Sequence, residues 1–338
     1  MTRPNRFSFC HVDGRLEEFG SPQGLGQIYA DYQYITSIVV AADHAAPASG
    51  IHFVLTWAGN VIPKLKPEEC VLVVVGDERG QVPNGVGLAR WVFRTGSPKS
   101  PWPVMQFRQR PWSLLLLSSV RELRNLGLRV KRWSIRSAPL WTPRHVESIP
   151  IGFVGSTPLE PVAMKERKWD VSFAGSMGSF RVLGGRRLPG CPKSAARLAM
   201  LQATRDLLST SPDLRMRIIC PDLEPQTGLS KTDYYFLLQQ TKISLCPRGN
   251  FVETFRLFES ARFGCVILVD PLPDCWYYEN HPFIEVRDWR KIKSAIEALR
   301  KDSQALEQLG ERSRKWWDEV ASPAAVGRKI ARAVRPGS

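Results

Sequence analysis

The chain has 338 residues, 43% of them hydrophobic, which suits two domains or one large one and excludes a wholly disordered protein. Lys and Arg number 47 against 32 acids, a formal net charge of +15 that favours anionic partners such as nucleic acid, anionic lipid or phosphorylated small molecules. Seven widely spaced cysteines with no C-x-x-C pair, and five scattered histidines with no H-E-x-x-H spacing, argue against a disulfide framework and a structural metal. Neither a metal nor a cofactor is expected.

Residues 7–12 read as a strand closed by Asp13-Gly14, and residues 51–57 as a second. Residues 70–75 (Cys-Val-Leu-Val-Val-Val) are the clearest strand: continuous apolar character, not alternation, marks burial on both faces of a parallel sheet. This run ends at Gly76-Asp77-Glu78, and residues 89–93 form a further strand. A helix is expected from Pro111, with Trp112, Leu116, Val120 and Leu123 at helical spacing and Gly127 as its stop, followed by a strand at 128–133. Residues 134–168 are proline-rich and irregular, which places a linker at 154–168 between domains at 1–153 and 169–338.

The second half alternates more regularly. A strand at 169–174 ends in Gly175-Ser176, and a helix runs from Ser194 to about residue 208. A strand at 214–220, a helix at 232–240 and a strand at 243–246 follow, the last broken by Pro247-Arg248-Gly249-Asn250. A helix at 252–263 stops at Gly264, a strand at 266–269 stops at Asp270-Pro271, and terminal helices cover 290–301 and 303–317. Strands alternating with helices of this length imply βαβ units, hence an α/β fold with parallel sheets. No apolar run approaches the roughly 18–20 residues that cross a bilayer, and the first residues lack an apolar signal core. The expected location is cytoplasmic or peripheral on a membrane surface.

The stretch from Cys246 to Asp270 carries the chemistry: strand, glycine loop, helix, glycine, strand. Ligands of open parallel sheets bind beyond the carboxyl ends of the strands, where the loop Arg248-Gly249-Asn250 falls. Its backbone N–H groups and the following helix N-terminus suit a phosphate, and Arg248 and Arg256 add charge-assisted hydrogen bonds. Arg256 and Glu259 are three apart and share a helix face, so the carboxylate is placed to accept from ribose hydroxyls while the arginine meets phosphate. On spacing alone, an ordinary surface ion pair and a plain turn explain these residues equally well.

This wording resembles the signature of exostosin-like glycosyltransferases, in which a Pro-x-Gly loop precedes Ser/Thr-x-Arg-x-x-Glu-Ala and then Gly-Cys-Ile-Pro-Val. Thr254, Arg256, Glu259, Gly264 and Cys265 stand at the matching places; Ser260 replaces the alanine and Ile267 the proline. Trp169-Asp-Val-Ser-Phe-Ala-Gly175-Ser176 is similar to the strand that opens the family's nucleotide-binding domain, so Gly175 and Ser176 are expected to face the donor. The convincing part covers about 169–300. The resemblance implies a GT-B fold: two Rossmann-like domains facing across a cleft, a nucleotide-sugar in the second and a glycan or lipid-linked acceptor in the first. It also implies transfer without a bound metal.

An inverting transfer needs a general base at the acceptor hydroxyl. Asp77 and Glu78, ending the clearest strand, are the first candidates; Asp13, with His11 beside it, is the second. Residues 90–144 hold twelve Lys/Arg against one acid, Glu122, and so carry most of the net charge. That segment has three readings: solvated arginines, a peripheral membrane contact anchored by Trp102, Trp112 and Trp133, or a holder for an anionic acceptor. No nucleic-acid module is visible, so nucleic acid is not expected as a partner. The alternative to an enzyme is a non-catalytic GT-B-like binding module recruited to anionic membrane or glycan surfaces.

Overall fold

The computed structural model describes residues 4–28, 33–47, 49–57, 60, 70–76, 89, 91–96, 123, 145–155, 159–183, 186–250 and 252–334. They fall into two compact units. Unit 1 takes the described residues of Met1–Lys99, Trp133–Ser156 and Asp318–Ser338; unit 2 takes those of Ser100–Arg132 and Thr157–Trp317.

Unit 1 is built on one sheet of β1 (Arg6–Cys10), β2 (Leu16–Phe19), β3 (His52–Trp57), β4 (Cys70–Val75), β5 (Trp91–Thr95) and β6 (His145–Ile149), in the order β2-β1-β3-β4-β5-β6. Every pairing is parallel except the β1–β2 hairpin. All six residues of β4 are buried, as its unbroken apolar run requires between two parallel neighbours. Strand β2, strand β6 and helix α1 depart from the sequence reading, β2 having no counterpart in it. Strand β6 lies inside the proline-rich stretch read as irregular. Helix α1 (Gln33–Ala45) has no counterpart in that reading: its Ile and Val content favours strands, yet Tyr34, Ile35, Ile38, Val39 and Ala42 are buried at helical spacing.

Unit 2 contains β7 (Trp169–Ala174), the separate hairpin β8 (Phe180–Leu183) and β9 (Arg186–Pro189), α2 (Pro192–Thr210), β10 (Met216–Ile219), α3 (Lys231–Gln239), β11 (Thr241–Cys246), α4 (Phe255–Arg262), β12 (Val266–Val269), β13 (Ile284–Glu285), α5 (Ile292–Lys301) and α6 (Ser303–Trp316). Its main sheet is wholly parallel, in the order β10-β7-β11-β12-β13. Phe173, Met200, Leu207, Leu245, Leu268 and Trp289 lie at the centre of its core. Residues 162–168, read from the sequence as linker, are built into this unit. The buried Arg167 guanidinium donates to the carbonyls of Val162 (2.9 Å), Thr241 (2.7 Å), Phe263 (2.6 Å) and Gly264 (3.2 Å). The expected helix from Pro111 and the strand at 128–133 fall, apart from Leu123, outside the described residues.

The last described helix, α7 (Pro323–Val334), belongs to unit 1, whereas the sequence boundaries put all of 169–338 in the second domain. The reason is its apolar stripe: Val326, Ile330 and Val334 recur every four residues and need a partner, and α1 supplies it. Tyr34 donates its hydroxyl to the Ala321 carbonyl at 2.6 Å, and Lys329 pairs with Glu147 of β6 at 2.9 Å. Gly327 lets the two helices approach closely, since a Cβ there would stand 2.8 Å from the Ala42 backbone nitrogen. Gly327→Ala is therefore expected to destabilise unit 1. The crowding costs about 1–3 kcal/mol, more than the roughly 0.5–1 kcal/mol that alanine adds to helix stability, and denaturant unfolding monitored by circular dichroism measures the balance.

Candidate functional site

The strand order of unit 2 creates the site. From β7 the chain passes through α2 to β10 on one side, and from β11 through α4 to β12 on the other. Adjacent strands whose connections leave in opposite directions open a crevice beyond their carboxyl ends, the usual ligand position in open α/β sheets. Gly175-Ser176 follows β7 and Pro247-Arg248-Gly249-Asn250 follows β11, so both loops border that crevice.

Arg256 lies in the first turn of α4 and is 7% exposed. Its Nη2 donates to the Ala174 carbonyl, and its guanidinium lies 4.3 Å from the centre of the Phe173 ring. A side chain at 175 would collide with that Nη2, which accounts for the glycine there. Nε and Nη1 of Arg256 are buried and have no hydrogen-bond partner among the described residues. Such orphaned donors cost roughly 1–3 kcal/mol each, which an oxyanion between them would offset.

Two further cations stand beside it, both overlooked in the sequence. Arg197, 5% exposed, donates from Nη1 to the Ser176 carbonyl and from Nε to the Arg248 carbonyl at 3.2 Å. Burial and the Arg256 charge push its guanidinium down to about 9, so it stays charged at neutral pH under a repulsion that a bound anion would relieve. Lys193 donates to the Ser176 hydroxyl, and burial together with the Arg197 charge lowers its ammonium. None of Lys193, Arg197 and Arg256 forms an ion pair with a carboxylate among the described residues. The available sequence signal was the four-residue spacing of Lys193 and Arg197 in the first two turns of the helix after Gly175-Ser176.

Carboxylates hold the loops. Asp222 accepts from the backbone N–H groups of Met177 (2.8 Å) and Gly178 (3.3 Å), fixing the turn after Ser176. Asp270, fully buried, accepts from the Arg248 N–H (2.7 Å) and Trp289 Nε1 (3.0 Å) through one oxygen; burial raises its carboxyl, and its Oδ1 has no partner among the described residues.

The other motif residues separate into two groups. Thr254 is the N-cap of α4, and its buried Oγ1 has no partner among the described residues. Gly249 is buried, and Asn250 is exposed at the loop tip. Glu259 is on the same helix as Arg256 but is occupied elsewhere: it is 4% exposed and accepts from the hydroxyls of Tyr234 (2.8 Å) and Tyr235 (3.1 Å) of α3. Two tyrosines are thus among its partners, a feature that Arg-x-x-Glu spacing does not reveal. On the expected acceptor side, Asp13 sits in the β1–β2 turn, where it accepts from the Arg15 N–H at 3.0 Å, and His11 meets Glu17 at 2.8 Å. Asp77 and Glu78 lie outside the described residues, as do residues 90–144 apart from Trp91–Gly96 and Leu123. Among the described residues, no group of three or more His, Cys, Asp or Glu is placed to hold a metal ion, and no helix is long and apolar enough to cross a membrane.

No model of a known protein family matches the chain, and no curated protein sequence matches it. Solved structures align with it at low similarity. The pneumococcal O-GlcNAc transferase GtfA, in complex with UDP and GlcNAc, aligns over 89% of this chain and 60% of its own at 11% identity and a TM-score of 0.45. A sucrose-phosphate synthase from Thermosynechococcus elongatus aligns over 89% and 92% at 12% identity and a TM-score of 0.42. A structure described as a UDP-N-acetylglucosamine 2-epimerase from Listeria monocytogenes aligns over 99% and 96% at 9% identity and a TM-score of 0.44. The chain thus spans three fifths of the pneumococcal enzyme's length. At TM-scores below 0.5, these likenesses assign neither a family nor an activity to it.

The helix that carries Lys193 and Arg197 begins at Cys191, whose N–H donates to Ser194 Oγ at 3.1 Å. Burial raises this thiol, but hydrogen bonds with Ser194 and Ser179 outweigh it and bring Cys191 down to about 7. Burial raises the other six cysteines, Cys70 and Cys275 to about 12. Iodoacetamide at neutral pH is therefore expected to label Cys191 selectively, with a rate that climbs through a midpoint near pH 7. Peptide mass spectrometry across pH reads this out; labelling spread over several cysteines, or a midpoint in the ordinary thiol range, would contradict the geometry.

Proposed function

We propose that the chain is a glycosyltransferase of GT-B architecture, exostosin-like in its donor motif, that moves a sugar from a nucleotide-sugar to a glycan or lipid-linked acceptor. The observation that carries this reading is the cation cluster of buried Arg256 and Arg197 with half-buried Lys193 at the strand-order switch of unit 2, two guanidinium donors of Arg256 being unsatisfied among the described residues. A nucleoside diphosphate fits that chemistry: its oxygens meet fixed donors, and its sugar extends away from them.

In this reading the acceptor oxygen attacks the anomeric carbon, the bond from that carbon to the diphosphate oxygen breaks, and the hydroxyl proton passes to a carboxylate. Negative charge grows on the departing diphosphate, where preoriented cations in a buried setting stabilise it more in the transition state than in the ground state. The cluster takes the place a metal would hold, and configuration inverts. Arg248, Gly249 and Asn250 line the donor side with Gly175 and Ser176. Thr254 offers a hydroxyl, and Glu259 acts by holding Tyr234 and Tyr235 against α4. Asp77, Glu78 or Asp13 receives the proton. Residues 90–144 give peripheral contact with a membrane or an anionic acceptor.

Thermal shifts against a panel of nucleoside diphosphates test the reading. At least one is expected to stabilise the protein, and Arg256→Ala and Arg197→Ala each to weaken it by roughly 10–100-fold, the loss of one charge-assisted contact of about 1.5–3 kcal/mol. Released nucleotide in the presence of the matching nucleotide-sugar then reports transfer. Indifference to every nucleotide would favour the non-catalytic binding module.

A further inference from the structure

A second place on unit 2 has the composition of a binding site. Trp169 opens β7 and Gly175 follows its end, a strand's length or about 20 Å away, while Ile219, at the other end of this place, accepts from the Gly175 N–H at 2.9 Å. Beside Trp169, between the edge strand β10 and α3, lies a cavity of about 270 Å³. Its apolar wall is formed by Trp169, Ile219, Leu229, Phe236 and Leu237. Phe236 is 48% exposed, an aromatic ring left open on a helix whose neighbouring Leu237 is 7% exposed.

The charges around this wall are unbalanced. Lys168 stands with its Nζ 4.9 Å from the centre of the Trp169 ring, and Arg217 projects from β10. Neither forms an ion pair with a carboxylate among the described residues. The acid in the lining, Asp233, is engaged in its own helix start, where it accepts from the Ser230 hydroxyl at 2.7 Å. Two cations without a carboxylate partner among the described residues thus flank the exposed Phe236 ring and the half-buried Trp169 ring, in a space suited to a single-ring molecule and below the usual range of about 300–1,000 Å³ for drug-sized ligands.

We propose that this cavity binds a small aromatic carboxylate, its ring beside Trp169 and Phe236 and its carboxylate on Arg217 and Lys168. The ring supplies apolar burial and aromatic contact, and the carboxylate supplies the charge the rim lacks. The site is independent of the donor reading, because it shares no residue with the cation cluster.

The test uses 3-phenylpropionate as probe with the full chain, read by calorimetry and by the fluorescence of the tryptophans. Saturable binding in roughly the millimolar range is expected for a ligand of this size. The uncharged 3-phenylpropanamide should bind at least tenfold more weakly. The double variant Lys168→Glu, Arg217→Glu should lose binding at least tenfold, and Phe236→Ala at least threefold. These positions are exposed, and an unchanged melting temperature certifies the fold of each variant. Absence of saturation, equal affinity for acid and amide, or indifference to the charge reversals would overturn the proposal.

Discussion

Arg197 bridges the Ser176 carbonyl, beyond the end of β7, and the Arg248 carbonyl, beyond the end of β11. The two loops belong to neighbouring strands whose connections diverge, so nothing in the sheet ladder itself holds them together. A guanidinium with several fixed donors does so from one side, and Arg256 does so from the other by reaching the Ala174 carbonyl across Phe173. Both are buried and spend only part of their hydrogen-bonding capacity on the protein. The same groups that define the crevice therefore leave it electropositive.

Arg256 is well aimed because its helix is held along its length. Glu259 is bound by two tyrosines of α3, Ser260 donates to Ser244 of β11 at 2.7 Å, and the carbonyls at the helix end are taken up by Arg167 and Arg314. Gly264, with φ near +64°, lets the chain turn from the helix into β12. These contacts lie beneath the site and touch no ligand. They explain why a motif rich in polar residues is largely buried: part of it supplies donors, and part of it fixes those donors in place.

The net charge divides in the same way. The excess in residues 90–144 is a property of sequence composition, and it bears on acceptor or membrane contact through the proposed reading alone. The cations at the crevice of unit 2 act locally: Arg197 and Arg256 are buried and Lys193 half-buried, they are spaced by the fold, and the charges of Asp222 and Asp270 act on Lys193 and Arg197 from a distance. Their low dielectric surroundings make each worth more to an anion than a solvated arginine is.

Local patterning in the sequence was enough to identify an α/β chain, the doubly buried strand β4, the strand β12, the alternation of unit 2 and the Arg248–Glu259 motif, because periodicity and turn residues act over a few neighbours. It put Arg256 and Glu259 on one helix face but gave no sign of Tyr234 and Tyr235, since spacing along a helix shows which residues share a face and not what lies opposite. Only the tertiary structure decided that β10, β7 and β11 are neighbours in that order, which brings Lys193 and Arg197 to a motif some fifty residues further along the chain. It also decided that α7 packs on α1 in unit 1. An apolar stripe demands burial without naming its partner, and strand order follows from long-range packing that no local pattern encodes.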